Sequence, residues 1–469
     1  MLDPPMETYR ADARRLVVVG AGLAGCEAAW QAARRGLAVR LYEMRPLCPS
    51  PAHATADFAE LVCSNSLRAS QLGNAVGLLK EEMRRFGSLV MRAADACAVP
   101  AGRALAVDRV AFARCVTAAI EAHPRIEVRR ERVAKIPDDD LVVLATGPLT
   151  DPELAGELAR LLGEASLYFY DAISPIVYAD SIDLGAAFRA SRWEDGEGDY
   201  LNLPLDPARY EEFVDALLAA DTVPLHPFER ALYFEGCLPI EEMARRGRET
   251  LAHGPMKPVG LVDPRSGRRP HAVVQLRHED RHGALYNLVG FQTKMRVADQ
   301  QRVLRALPGL AAAVFARYGS VHRNTYIDAP RWLDPTLAVH GRPGLRIAGQ
   351  LAGVEGYVES AALGGLAGLF AACAARGAEP PLPPPGSAHA ALLRHLREAD
   401  PRHFQPMNVN WGLFAPLAEA ARREKRADRN ARLAERALAE FDAWLPQAEA
   451  GGLPAVEASG LARLATDVA

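Results

Sequence analysis

The stretch from Leu16 to Glu43 leaves the backbone few choices. Leu16-Val17-Val18-Val19 is a short uninterrupted apolar run, the pattern of a parallel strand buried on both faces. Gly20-Ala21-Gly22-Leu23-Ala24-Gly25 follows at once, and the Ala-rich segment from Cys26 to Arg35 has high helix propensity. Gly36 suits the end of that helix, and Ala38-Val39-Arg40-Leu41-Tyr42-Glu43 reads as a second strand. Each glycine in such a unit has a task. Gly20 permits the tight turn, Gly22 lets the backbone approach a pyrophosphate, and Gly25 lets the helix pack close to the sheet. The helix N-terminus offers unpaired N–H groups and a positive dipole end to phosphate. Glu43 stands 18 residues after Gly25, placed to accept hydrogen bonds from ribose hydroxyls. The expected class is α/β with a Rossmann-like dinucleotide-binding domain.

NAD and FAD share this fingerprint, and two later segments favour FAD. Leu141 to Gly147 reads as another buried strand ending in a tight turn. Gly349-Gln350 through Gly353 and Gly356 precedes a helix of small residues and is similar to the flavoprotein segment that contacts the ribityl chain and isoalloxazine. These segments lie far apart, which implies an interrupted FAD domain covering 16–165 and 331–378. Between them, 166–330 reads as a mixed α+β insertion of short strands and loops. The proline-rich stretch Glu379 to Gly386 reads as a stiff linker, and 388–446 as a helical C-terminal region. Residues 76–86 and 109–122 read as helices, and Cys63 to Arg68 as a polar loop.

Composition narrows the class. At 469 residues, 49% hydrophobic and 24% charged, the chain can bury a large core without staples. No run of 18 apolar residues suggests a membrane span, and the first 15 residues lack an apolar signal region. A cytoplasmic location and no membrane partner are expected. Seven cysteines without zinc-type spacing point to reduced thiols and no metal site. The net charge of −3 excludes an overall polycation, although nucleic-acid binding needs only a local basic face. From 241 to 269 seven basic residues face four acids, and from 422 to 432 six face two. Either run can contact phosphate or form a solvated surface.

Two cysteines have suggestive surroundings. Cys237 precedes Pro239, a natural first-turn residue, and the acids Glu241 and Glu242, so a thiol there sits just ahead of a helix N-terminus that favours thiolate. Cys63 begins Cys63-Ser64-Asn65-Ser66-Leu67-Arg68, where Arg68 can favour an anion.

Several blocks together resemble one family. They are Gly20 to Ala29, Val62 to Arg68, Glu235 to Glu241, Gly254-Pro255-Met256-Lys257-Pro258-Val259-Gly260-Leu261, Gly290 to Met295, His322 to Tyr326 and Ala348 to Tyr357. The chain is similar, from about 16 to 415, to the folate- and FAD-dependent tRNA (uracil-5-)-methyltransferases. The resemblance implies FAD as cofactor, 5,10-methylenetetrahydrofolate as one-carbon donor and NADH or NADPH as reductant. It implies transfer by way of reduced FAD to C5 of uridine 54 in the tRNA T-loop, giving 5-methyluridine. It further implies Cys237 as the nucleophile toward uracil C6, Cys63 as a second functional cysteine, and Tyr357 as an aromatic that stacks with folate against the flavin. The nearest alternative is the FAD-dependent enzyme that installs carboxymethylaminomethyl groups on the tRNA wobble uridine. That family is usually longer at its helical C-terminus. A generic flavin oxidoreductase would need a second GxGxxG domain, which the sequence lacks.

Overall fold

A computed structural model describes residues 15–50, 52–163, 167–172, 174–193, 196, 198–223, 238–280, 282–401, 404–417 and 424–450. Cys237, and with it the block Glu235 to Cys237, lies outside the described residues.

The apolar run at the start becomes the strand Arg15–Val19, central in a six-stranded sheet. Its neighbours are Ala38–Tyr42 on one side and Leu141–Leu144 on the other, both parallel. Ile126–Arg129 and Arg342–Ile347 extend the sheet in parallel, and Ala338–Val339 closes one edge antiparallel. Leu16, Val18 and Val143 have no exposed surface, as strands covered on both faces require. The helix starts earlier than propensity suggests, at Leu23 and not Cys26, and runs to Arg34. Its first turn is set by the glycine motif, and propensity scales do not register that.

Two helices make the main covering layer. Tyr357–Ala375 crosses Leu23–Arg34 at two glycines: a Cβ on Gly364 would lie 2.1 Å from the Ala24 carbonyl oxygen, and one on Gly368 would lie 2.3 Å from that of Ala28. Only glycine allows that backbone approach. Tyr357–Ala375 is also long and apolar enough to cross a membrane by length and composition, which the absence of an uninterrupted apolar run had not suggested. Its apolar window is 89% buried inside the protein, so packing against the sheet layer accounts for its composition.

A second body forms around an antiparallel sheet ordered Phe188–Arg189, Tyr200–Leu205, Ala272–His278, Leu285–Leu288, Ile176–Tyr178, Phe315–Arg317. It has its own core, built on residues such as Leu203, Tyr210, Phe213, Leu276 and Phe291. The paired strands Leu167–Ala172 and Val321–Tyr326 carry the chain out and back.

Three local expectations are corrected. Cys63 to Arg68 is loop only as far as Asn65; Ser66–Ala69 is a strand paired with Ala104–Val107. Pro239 is the N-cap of the helix Ile240–Arg246 and not a residue of its first turn. The C-terminal region holds the helices Ala388–Glu398 and Arg426–Ala450 and, between them, the short 3-10 turn Trp411–Leu413; Pro401, Pro406 and Pro416 fall between the two helices, where a continuous helix could not accommodate them.

Candidate functional site: a dinucleotide cleft with a thiol at its inner end

A cleft with about 1060 Å³ of space, part of it open to solvent, runs along the carboxyl ends of the central strands. Gly20, Gly22, Leu23, Ala24, Glu43, Gln350 and Tyr357 line it. Ala21, Gly25, Gly349, Gly353 and Gly356 do not; most of them shape it from behind. Gly20 has φ +97°, and a Cβ there would lie 2.7 Å from the Ala145 carbonyl oxygen. A Cβ on Gly25 would lie 1.7 Å from the Gly20 carbonyl oxygen, and one on Gly349 would lie 2.7 Å from the Ala24 methyl. Gly353 backs onto Phe404, and Gly356 sits beside Glu359 and Arg68.

Gly22 and Gly147 differ from these. A Cβ at either position meets no atom within 4 Å, and both residues line the cleft. The helix Leu23–Arg34 has no side-chain cap at Gly22, so its first N–H groups remain available to an anion. The residues present therefore fit a pyrophosphate-bearing dinucleotide: bare backbone where the phosphates pass and an uncapped helix aimed at them.

Glu43 sits at the rim with 6% exposure. Its Oε2 accepts from Ala21 N at 3.0 Å, and its Oε1 accepts from Arg45 N at 3.0 Å and Arg45 Nε at 2.9 Å. Burial opposes its ionisation, but the Arg45 guanidinium and the two backbone N–H groups outweigh it and hold the carboxyl below the usual range. Three acceptor positions are filled, and a carboxylate offers roughly four, which leaves Oε2 able to take a ribose hydroxyl.

Residues not singled out from sequence complete the wall. Arg45 bridges Glu43 and Glu60, the latter at 3.2 Å. The i, i+2 spacing of Glu43 and Arg45 was the one available signal. His53 also lines the cleft; its Nδ1 lies 2.5 Å from Ser50 Oγ. Burial, then the nearby Arg45, pushes its pKa down to about 4, so the ring is neutral near pH 7. Arg132 pairs with Asp151, which caps the helix Pro152–Leu162. Nineteen residues separate that pair, and no local pattern announces it.

At the inner end of the cleft the Cys63 loop meets the long helix. The Tyr357 hydroxyl accepts from Cys63 N at 2.8 Å and from Ser64 N at 3.3 Å, and lies 2.9 Å from Cys63 Sγ. Burial first, then the neighbouring Cys63, raises the Tyr357 pKa well above its ordinary value, so it remains a phenol. Arg68 has φ 64° and pairs with the fully buried Glu359. The Arg109 and Arg317 guanidinium groups sense Cys63. Buried Lys80 braces the same segment from below, donating to the carbonyls of Leu67 at 2.7 Å and Arg68 at 3.1 Å. Cys26, deep under the glycine turn, is held far above the ordinary thiol range by burial and then by Glu43.

The basic run near Cys237 is less cationic than its composition. Arg245 pairs with Glu242 at 2.7 Å, Arg248 with Glu211 and with Asp215 at 2.8 Å, and Arg265 with Asp263 at 2.9 Å. In the later run Arg432 pairs with Glu424 at 3.0 Å, and Arg422 and Arg423 lie outside the described residues. Exposed pairs of this kind present little net charge to RNA.

Comparison with known proteins agrees with this picture. The family model for glucose inhibited division protein A matches residues 15–379. The methylenetetrahydrofolate–tRNA-(uracil-5-)-methyltransferase TrmFO of Geobacter sulfurreducens is 59% identical over 431 residues, covering 92% of this chain and 98% of that protein. The protein of the same name from Desulforudis audaxviator is 59% identical over 432 residues, with the same coverage. Among solved structures, Aquifex aeolicus GidA in its form I crystal superposes with a TM-score of 0.67 at 18% identity, covering 97% of this chain and 78% of that one. At that identity the likeness shows the fold alone.

Proposed function

The chain belongs to the methylenetetrahydrofolate–tRNA-(uracil-5-)-methyltransferase family, and we propose that it methylates C5 of uridine 54 in the tRNA T-loop with 5,10-methylenetetrahydrofolate as one-carbon donor. When bound, FAD supplies the redox chemistry of the transfer, with NADH or NADPH as the source of reducing equivalents. The observation that carries the reading is the Cys63 thiol, held by Tyr357, at the inner end of a cleft shaped for a dinucleotide.

The protein's own groups have distinct tasks. Gly22 and Gly147 admit the phosphates, and Glu43 holds a ribose. Uracil C5 is a weak nucleophile, so a thiolate must add at C6 to make C5 an enolate carbon. We assign that addition to Cys237. Once C5 has gained the one-carbon unit, its proton leaves to a base as the bond from the new carbon to its carrier breaks, giving an exocyclic methylene. A hydride equivalent, drawn from NADH or NADPH, then reduces that methylene to methyl as the C6–S bond breaks and the thiolate leaves. Cys63 is the candidate for that base, and the Tyr357 hydroxyl orients it. Tyr357, which lines the cleft, is our candidate to stack on a flat donor.

A mini-RNA carrying 5-fluorouridine at the target position tests the assignment, because fluorine blocks loss of the C5 substituent and traps a protein–RNA adduct. The adduct is expected on the peptide around Cys237, and Cys237→Ala is expected to keep its FAD and lose methylation. An adduct at Cys63 reverses the two roles. Modification of the wobble uridine, with the T-loop untouched, would replace the reading by its nearest alternative.

A further inference from the structure

A second cleft, separate from the dinucleotide site, opens between the two bodies and holds about 970 Å³ of space, part of it open to solvent. One wall is the Gly102-Arg103-Ala104 turn beside the strand Ser66–Ala69; the other is Arg192, Trp193, Tyr200 and Lys257. We propose that this cleft is a nucleotide-binding subsite, in which a base stacks on the indole of Trp193 and its phosphate lies among Arg103, Arg192 and Lys257.

Trp193 is 63% exposed, an unusual state for so large an apolar surface. It is also held there deliberately. Its backbone has φ 67°, a left-handed conformation that a bulky residue adopts only when its surroundings impose it. The indole lies against Gly260, where a Cβ would come within 3.3 Å of the ring. Arg192 Nη2 donates to the Lys257 carbonyl at 2.7 Å and ties the Trp193 turn to the Gly254–Leu261 block. The rest of that rim is pinned as well: Tyr200 donates to the Ala101 carbonyl at 2.9 Å, and Asp199 accepts from Gly102 N at 2.5 Å. A flat aromatic face beside Arg192 and Lys257, with Arg103 on the opposite wall and the Asp199 carboxylate taken up by Gly102 N, matches the two recognisable parts of a nucleotide. Glu194, Asp195 and Glu197 lie outside the described residues.

Position adds to the chemistry. Gln275 lines the cleft on the strand Ala272–His278. Two residues along, on the same face, Arg277 holds Ser64 Oγ at 2.9 Å and Asn65 Oδ1 at 2.8 Å, beside Cys63. A nucleotide bound here touches the strand that braces the reactive loop. The proposal rests on the tRNA reading for its source, a nucleotide of the RNA strand. The adenylate of NADH or NADPH carries the same chemistry, and the experiment separates the two.

The FAD-loaded enzyme and its Trp193→Ala, Trp193→Phe and Lys257→Glu variants would be compared in three assays. These are tRNA binding by filter retention across a salt series, the KM for NADPH and NADH in flavin reduction, and thermal melting. For a subsite on RNA, Trp193→Ala weakens tRNA binding roughly tenfold or more, Trp193→Phe restores most of it, and Lys257→Glu flattens the salt dependence. Flavin reduction and melting stay as in the wild type. If the nicotinamide KM rises while tRNA affinity holds, the same subsite takes the dinucleotide. If Trp193→Ala and Lys257→Glu both match the wild type in both affinities, the proposal is overturned; should Trp193→Ala fail to fold, an unchanged affinity and salt dependence in Lys257→Glu overturns it alone. Wild-type protein that binds tRNA through Trp193 but leaves the T-loop unmethylated refutes the function and leaves the subsite standing.

Discussion

Gly22 and Gly25 are three residues apart in one motif, yet substitution should separate binding from folding. Gly22 has φ −74° and ψ −171°, extended backbone that any residue adopts, and a Cβ there meets nothing within 4 Å. Gly22→Val should therefore leave the apoprotein as stable as the wild type; Gly→Ala at compatible positions even stabilises by about 0.4–1 kcal/mol through the unfolded chain. The new side chain instead fills the space where the phosphates pass. Losing one hydrogen bond to a charged group costs about 1.5–3 kcal/mol, so FAD affinity should fall roughly ten- to hundredfold. Gly25→Ala behaves oppositely. Its Cβ would lie 1.7 Å from the Gly20 carbonyl oxygen, so the helix must move off the sheet, at a cost of about 1–3 kcal/mol or more. Urea denaturation of the apoproteins and flavin-fluorescence titration read the two quantities independently. The reasoning fails if Gly22→Val binds FAD like the wild type, or if its loss of FAD is accompanied by a lowered urea midpoint.

Two further outcomes follow from the cleft. Tyr357→Phe removes the hydroxyl that accepts from Cys63 N and so directs its own hydrogen at Cys63 Sγ; alkylation of Cys63 at pH 8 should slow while FAD stays bound, and unchanged alkylation would show that the hydroxyl only fixes the loop. His53 titrates near 4 in the folded protein and near 6.5 when unfolded, so between these values the unfolded chain binds the extra proton. Stability should fall as pH drops from about 6.5 to 4, and His53→Asn should flatten that fall in urea midpoints measured at pH 7 and pH 4.5; a parallel fall in both proteins would assign the loss to other groups.

What could be read from the sequence follows the range of the forces involved. The glycine turn, its strands and Glu43 are contiguous, and each glycine answers to a local steric demand, so the motif declares itself. The packing of Gly364 and Gly368 onto Ala24 and Ala28 joins residues more than 300 positions apart, and only folding brings them together. The same holds for charge. Arg68 stands five residues from Cys63 and reads as its partner, yet Glu359 claims it from the far end of the chain. Arg245 and Arg248 belong to a basic run that reads either as a phosphate contact or as a solvated surface, and the structure turns them toward Glu242, Glu211 and Asp215. Composition counts charges, and tertiary structure decides which of them remain unpaired.

The Cys63 loop sits at a seam between the two bodies. Asn65 has no exposed surface; its Nδ2 donates to the carbonyls of Val107 and His278, at 3.0 and 2.9 Å, and its Oδ1 accepts from Arg277. Glu279, 4% exposed, pairs with Arg109, which in turn donates to the Leu61 carbonyl at 2.7 Å. The loop is thus bonded to both bodies through two guanidinium groups, Arg277 buried and Arg109 mostly so. Removing either partner would leave a buried charge uncompensated, a cost of about 3–5 kcal/mol, so undocking the second body and disordering the loop are one event. In the proposed role of Cys63, a thiol that meets both a ligand in the dinucleotide cleft and a base presented from outside gains from this coupling. Its position is set only when the two bodies are joined, and then by groups with no freedom to relax.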